Sequence, residues 1–215
     1  RLVLRRLKSR SLKYQGLQLD EYVVEVAAGN LEAAQGDHAA ALKSFDSAKQ
    51  IITRGSDVDG TFLANLELHI GSSQHALGRY REALETFGEA IALHEELGLD
   101  PAEAFYQRGL TYMTIGRANE ATLDLLNAFN ANQTSDAYAY AACVSGLEGT
   151  MSRKTLRACE TLLEMQPGDA QDYGLYGRVL VGAGDNSRAV MAFERGLLLN
   201  PTSRTLLKEA ESVRA

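Results

Sequence analysis

The sequence is poor in residues that cross-link, interrupt or anchor a chain. Its 215 residues include two cysteines and three prolines, and they contain no run of 18 apolar residues. Two cysteines do not make a disulfide framework, and without a long apolar run we predict no membrane-spanning helix. The chain also lacks a glycine-serine linker and any low-complexity tract, so its composition indicates no separate tethered domain.

No residue spacing typical of a catalytic or metal site is present. His69 and His75 are six residues apart, whereas two metal ligands on one helix face are about four apart. The glycines on either side of Ala183 do not follow a strand, so they do not form a phosphate-binding loop. We therefore predict that the chain is not an enzyme and that it binds no cofactor and no metal.

Charge is distributed unevenly. Residues 1–18 hold six basic residues and no acidic residue, and removing these six from the net charge of −6 leaves −12 for the remainder. Proteins bind nucleic-acid backbones through lysine and arginine, so an acidic body argues against a nucleic-acid partner.

A pattern recurs along the chain and is clearest in residues 170–203. It sets aromatic, small and turn-forming residues at fixed offsets, namely Tyr173, Gly177, Gly184, Ala189, Phe193 and Pro201. The unit starts at 102, 136 and 170 are 34 residues apart, and two upstream units match after a few extra residues are allowed. Repeats of this length build solenoids, in which each unit buries its apolar face against its neighbour.

Each unit is predicted to contain two helices, because apolar residues recur at three- and four-residue steps. The predicted units are 22–55, 64–97, 102–135, 136–169 and 170–203. Residues 204–215 are predicted to form a C-terminal capping helix. Residues 1–21 are predicted to form a basic N-terminal helix that caps the first unit, and the alternative is a membrane-surface or targeting segment.

Glycines occupy two kinds of position in each unit. Those between the helices suit a tight reversal with positive φ, and they are Gly36, Gly78, Gly116 and Gly184. Those inside first helices, such as Gly29, cost about 1 kcal/mol relative to alanine and need another reason. We expect the alanine of the second helix, Ala41 in the first unit, to lie opposite the glycine, with Phe45 wedged towards the next unit.

These residues resemble the tetratricopeptide repeat (TPR). That family's pattern joins a bulky aromatic, leucine-glycine, tyrosine, a turn glycine, alanine, phenylalanine, alanine and a closing proline, and the resemblance covers about residues 22–203. The fourth unit departs from it, because Cys143, Thr155 and Cys159 stand where glycine, alanine and phenylalanine are expected. We still predict a helix pair there, and the alternative is that the stack bends or loosens.

The resemblance implies an all-α, right-handed α-solenoid of about five units, whose first helices line a concave groove. The side chains expected to face that groove are Val26, Asn30, Leu68, His69, Tyr106, Gln107, Leu110, Met113, Tyr140, Val144, Leu147 and Arg178. Exposed apolar patches usually mark interaction sites, so we expect a protein or peptide segment, apolar with polar ends, to bind there. The alternative for each residue is that it packs as core against neighbouring first helices.

One partner class known for the family is not expected. Co-chaperones of this family grip a C-terminal carboxylate with lysines, an arginine and asparagines. Here only Asn30 matches, and the other positions hold Val26, His69, Glu103 and Gln107. Without those charge-assisted hydrogen bonds, the chain is not predicted to be a carboxylate-clamp co-chaperone.

The two cysteines, Cys143 and Cys159, lie in the two predicted helices of the fourth unit. We expect buried, unbonded thiols that pack as small apolar groups, and a disulfide stays open if the two Cβ atoms lie near 4 Å apart. The low cysteine content favours a soluble protein in a reducing compartment, either the cytoplasm or an organelle interior.

The sequence therefore predicts a non-catalytic adaptor or scaffold that acts by protein–protein contact within a larger assembly. One alternative is a membrane-associated assembly factor recruited through the basic N-terminal segment. Another is an accessory domain of a longer enzyme or signalling protein, since residue 1 is arginine and not methionine.

Overall fold

A computed structural model describes residues 18–54, 60–148 and 150–214, and these residues form eleven α-helices and no β-strand. The helices are α1 (Gln18–Ala34), α2 (His38–Arg54), α3 (Gly60–Ala76), α4 (Tyr80–Glu96), α5 (Ala102–Thr114), α6 (Ala118–Ala131), α7 (Asp136–Glu148), α8 (Ser152–Met165), α9 (Ala170–Ala183), α10 (Asn186–Leu199) and α11 (Arg204–Arg214). Across these ranges, no helix combines the length and the apolar character that crossing a bilayer requires. The basic N-terminal segment is predicted over residues 1–21, and residues 1–17 of it lie outside the described chain. Both interpretations of this segment therefore stay predictions.

On a larger scale than the repeats, the chain forms two compact units: the first unit is Arg1–Thr111 and the second unit is Tyr112–Ala215. In the first unit, α1 packs against α2, α3 packs against α4, and α2 also packs against α3. Apolar residues at helical spacing meet between these helices and bury Phe45, Leu66 and Ile70. The hydroxyl of Tyr22 donates to the carbonyl of Phe62 at 3.0 Å, which ties α1 to α3. The first unit therefore contains two helical hairpins that share a core.

The second unit contains the helix pairs α7–α8 and α9–α10, and α8 packs against α9. A helix pair is thus present in the fourth repeat, as the sequence predicts. Helix α6 packs on α7, and α11 packs on α10. The core beside α11 includes Leu180, Phe193, Leu206 and Ala210, whereas Leu207 of α11 is exposed. Helix α11 is therefore amphipathic, and its apolar side covers α10.

Glycine makes the reversal between paired helices possible. At Gly184 the φ angle is 82°, in the left-handed region that residues with a Cβ disfavour. Its N–H donates to the carbonyl of Val181 at 2.9 Å, and the N–H of Asp185 donates to that of Leu180 at 2.9 Å. These bonds satisfy carbonyls left open at the end of α9. The predicted positive φ is confirmed here and at Gly36, Gly78 and Gly116.

Candidate functional site

Glycines inside the first helices leave room for an aromatic ring. A Cβ built on Gly29 would lie 2.4 Å from Cε1 of Phe45, which is too close for any side chain. The corresponding distances are 2.6 Å for Gly71 and Phe87, and 2.4 Å for Gly177 and Phe193. The nearest side chain is thus the phenylalanine of the same repeat and not Ala41, so the expectation of an alanine opposite the glycine is wrong.

The fourth repeat replaces this ring-on-glycine contact with a disulfide. Cys143 of α7 and Cys159 of α8 are bonded, with their Cα atoms 4.9 Å apart, and both residues are buried. They are separated by 16 residues, the same separation as Gly29 and Phe45. The expectation of unbonded thiols is wrong. Because both cysteines are bonded, the low cysteine content no longer favours a reducing compartment.

A second exchange accompanies the disulfide. Thr155 of α8 stands where the other repeats have alanine, and a Cβ built on Gly146 of α7 would lie 2.1 Å from its Oγ1. The missing side chain at Gly146 therefore makes room for the larger threonine. The hydroxyl of Ser152 also donates to the carbonyl of Gly146 at 2.8 Å. Helices α7 and α8 pack closely at this point, so the hairpin of the fourth repeat is not loosened.

The candidate residues on α1 and α3 differ in exposure. Asn30 is exposed, whereas Val26, Leu68 and His69 are half-buried. Val26 packs against the core between α1, α2 and α3, and Leu68 packs against the cluster between α4 and α5. The ring of His69 stacks on that of Phe45 with centroids 5.6 Å apart, as the wedge prediction expects, and burial lowers the pKa of His69. Three of these four side chains therefore take part in core packing.

The candidates on α5 are half-buried. The side-chain amide of Gln107 donates to Oε1 of Glu103 at 2.7 Å, and its backbone carbonyl accepts from Oγ1 of Thr111 at 2.8 Å. Burial, and then the charge of Glu103, raise the pKa of Tyr106, so this phenol stays neutral. The other half-buried candidates of this helix are Leu110 in the first unit and Met113 in the second.

The candidates on α7 form an exposed stripe. Tyr140 and Leu147 are 52% and 41% exposed, and Val144 between them is half-buried. Their spacing of four and three residues places all three on one side of the helix. The buried residues of this helix lie on its other side and comprise Ala139, Ala141, Ala142, Cys143, Ser145 and Gly146. Helix α7 therefore combines a buried side with an exposed side that keeps large apolar groups.

Arg178 lies on α9, which packs against α7. Its Nη1 contacts Oε1 of Glu209 at 3.2 Å, and it borders a cavity of about 290 Å³ between α9 and α11. The cavity is lined by Ala170, Gln171, Gly174, Arg178, Asn200, Ser203, Thr205 and Leu206. Most of these side chains carry hydrogen-bonding groups, and none is acidic. Sequence reasoning missed the cavity, although the polar run after α10 was a visible signal.

Known proteins match the chain at the level of the repeat. Residues 22–96 match the family model of the tetratricopeptide repeat. Residues 22–96 therefore consist of tetratricopeptide repeats. The resemblance seen in the sequence is thereby confirmed. No curated protein matches this TPR sequence.

Solved structures of similar fold cover most of this chain. YrrB, a TPR protein with an unusual peptide-binding site, is 16% identical with a TM-score of 0.71, over 96% of this chain and 97% of YrrB. The MamA protein is 19% identical with a TM-score of 0.67, over 85% of this chain and 93% of that one. MamA 41-end from Desulfovibrio magneticus RS-1 is 15% identical with a TM-score of 0.66, over 87% of this chain and 99% of that one. At these identities the likeness establishes the fold, an all-α TPR solenoid.

Proposed function

We propose that this TPR protein is a protein-interaction scaffold whose second unit binds a partner segment on an α7–α9 face, defined by Tyr140, Val144, Leu147 and Arg178. One observation carries the proposal. Tyr140 and Leu147 remain 52% and 41% exposed on a helix whose opposite side is buried. Large apolar groups gathered on one exposed side of a helix support an interaction surface. Tyrosine adds contact area at a small cost in conformational entropy, because it has few rotatable bonds.

The chemistry of the face suits a partner segment that is apolar with a polar end. Val144 and Leu147 offer apolar contact, whereas Arg178 and the neighbouring cavity offer hydrogen bonds. The polar cavity residues besides Arg178 are Gln171, Asn200, Ser203 and Thr205. An amphipathic helix and an extended peptide both present apolar groups at a suitable spacing. The likeness in fold to YrrB, with its unusual peptide-binding site, supports a peptide ligand here.

The proposed role is binding without catalysis, in keeping with the lack of catalytic spacing in the sequence. The candidates of the first unit, together with Met113, stay predictions. Among them, Asn30 is the exposed side chain on α1, and Tyr106 and Gln107 are half-buried on α5. The α7–α9 face does not depend on these residues, so it is tested separately.

A displayed peptide library tests the proposal. Peptides are selected on the wild-type protein, and their dissociation constants are then measured for Tyr140→Ala and Leu147→Ala. A tyrosine at the centre of an interface is worth about 2 kcal/mol or more, so Tyr140→Ala is expected to raise the Kd about 30-fold. The matched control is Leu198→Ala, which removes a 72% exposed leucine from α10, the second helix of its repeat.

Circular dichroism checks that all three variants keep their helical content. The expected result is weakened binding in both α7 variants and unchanged binding in the Leu198 variant. If Tyr140→Ala and Leu147→Ala both bind the selected peptides with the wild-type Kd, the α7–α9 face is not the binding surface.

A further inference from the structure

Within the described chain, four of the repeats hold their helix pairs together by one of two means. In the first, second and fifth repeats a phenylalanine ring lies on the glycine of the facing helix. In the fourth repeat, Cys143 and Cys159 occupy those two positions and are joined by a covalent bond. The contact between a phenylalanine ring and a glycine does not depend on redox conditions, whereas a disulfide is present only when its two cysteines are oxidised.

We propose that the Cys143–Cys159 disulfide is a redox-controlled lock on the α7–α8 hairpin, closed by oxidation and opened by a thiol reductant. The hairpin has no phenylalanine at this contact to take over when the bond is cut. Two thiols fill less space than a phenyl ring, and two thiol sulfurs do not approach as closely as bonded ones. In the disulfide form the Cα atoms of the two cysteines are 4.9 Å apart. Reduction removes the cross-link and leaves this contact poorly packed.

The opening reaction is an ordinary thiol–disulfide exchange with a dithiol reductant. One thiolate of the reductant attacks a cysteine sulfur, the Cys143–Cys159 bond breaks, and the other cysteine leaves as a thiolate that takes up a proton. The second thiol of the reductant then displaces the remaining cysteine and closes its own disulfide. Two electrons pass to the protein, which ends with two thiols. A small-molecule disulfide such as oxidised glutathione reverses the reaction.

Access to the bond is limited by the fold. Cys143 and Cys159 are 0% and 1% exposed, so a reductant reaches the sulfurs only when the hairpin opens. The lock is therefore slow to open in the folded protein and fast to open once α7 separates from α8. Because Cys143 lies between Tyr140 and Leu147 on α7, the lock also fixes the helix that carries these exposed side chains. It operates whether or not that face binds a partner.

Two double variants test the lock. Cys143→Gly with Cys159→Phe installs the ring-on-glycine contact of the first, second and fifth repeats, and Cys143→Ser with Cys159→Ser removes both kinds of contact. The melting temperature is measured with and without dithiothreitol, and hydrogen exchange follows the amides of α7 and α8, with α1 and α2 as the internal reference. A disulfide that closes a loop of this length is expected to raise the melting temperature by about 6–12 °C.

The proposal expects the reduced wild type to melt near the serine variant, with faster exchange confined to α7 and α8. It also expects the Gly–Phe variant to melt at the same temperature in both conditions. Should that variant fail to fold, hydrogen exchange of oxidised and reduced wild type decides alone. The proposal is overturned if reduction leaves melting and exchange unchanged, or if mass spectrometry still finds two alkylatable thiols after incubation with oxidised glutathione.

Discussion

A single methyl group added at Gly71 tests whether the ring-on-glycine contact determines how a repeat packs. In α3, a Cβ on Gly71 would lie 2.6 Å from Cε1 and 2.8 Å from Cδ1 of Phe87. Phe87 is 0% exposed, so its ring is enclosed by other side chains and cannot turn out into solvent. In α4 of the same unit, a Cβ on Gly88 would meet only Nη1 of Arg108, at an ordinary 3.6 Å. Gly88 therefore serves as a matched control for Gly71.

Whether Gly71→Ala raises or lowers the free energy of unfolding depends on the magnitudes of two opposing effects. Alanine favours a helix over glycine by about 1 kcal/mol, and this gain applies to both Gly71→Ala and Gly88→Ala. Forcing an extra carbon into a filled core costs about 1–3 kcal/mol, and contacts this short place Gly71→Ala towards the upper end. We therefore expect Gly71→Ala to lower the free energy of unfolding by about 1–2 kcal/mol. Gly88→Ala has no such clash, and we expect it to raise that free energy by about 0.5–1 kcal/mol.

Thermal unfolding followed by circular dichroism measures the difference. For a chain of this size, the expected shifts in melting temperature are about 2–8 °C downward for Gly71→Ala and about 1–4 °C upward for Gly88→Ala. Adding Phe87→Leu to Gly71→Ala removes the ring, so the double variant is expected to lose less stability than the sum of the two single changes. If Gly71→Ala stabilises the protein as Gly88→Ala does, steric exclusion by the ring is refuted.

Three further changes probe the interior. Burial lowers the pKa of His69 below 6.5, so the unfolded chain binds more protons just below that pH and the free energy of unfolding falls as the pH drops. Urea unfolding at pH 7.5 and 5.5 is expected to show a smaller loss for His69→Gln than for wild type, and equal losses would contradict this. Lys49 pairs at 2.6 Å with Glu67, whose side chain is 3% exposed, so Lys49→Met leaves a buried carboxylate unpaired. The expected loss is about 1–3 kcal/mol, less than for a fully buried pair because Lys49 is 40% exposed, and an unchanged urea midpoint would count against it. Gly146→Ala is expected to cost about 1–3 kcal/mol through its clash with Thr155, and adding Thr155→Ala should restore most of the urea midpoint.

The helices and turns of this protein were predictable because their signals are local. Three- and four-residue apolar steps mark the helices, and a glycine such as Gly184 marks a reversal that needs positive φ. The partner of the in-helix glycine was not predictable in the same way. Both Ala41 and Phe45 lie on the buried side of α2, and spacing alone does not say which of them meets Gly29. That choice depends on side-chain length and on how the two helices cross.

The sequence predicted which helices carry the candidate residues, but it did not predict how exposed each of these side chains is. Equivalent faces of the first helices were assigned alike, yet His69 stacks on Phe45 of the preceding helix whereas Tyr140 stays 52% exposed. Exposure depends on what the neighbouring helices bring to each position, and a single repeat does not contain that information. The cavity beside Arg178 depends in addition on how α11 approaches α9, which no repeat pattern describes.

When the fourth repeat is compared with the others one position at a time, it looks less well packed than it is. Each of its departures looks unfavourable alone, since Thr155 is too large for an alanine site and Cys159 is too small for a phenylalanine site. In the structure each departure has its complement on the facing helix, Gly146 for Thr155 and Cys143 for Cys159. What the fourth repeat preserves is therefore the filling of each contact between its helices, and the residue types are free to change when both sides of a contact change together.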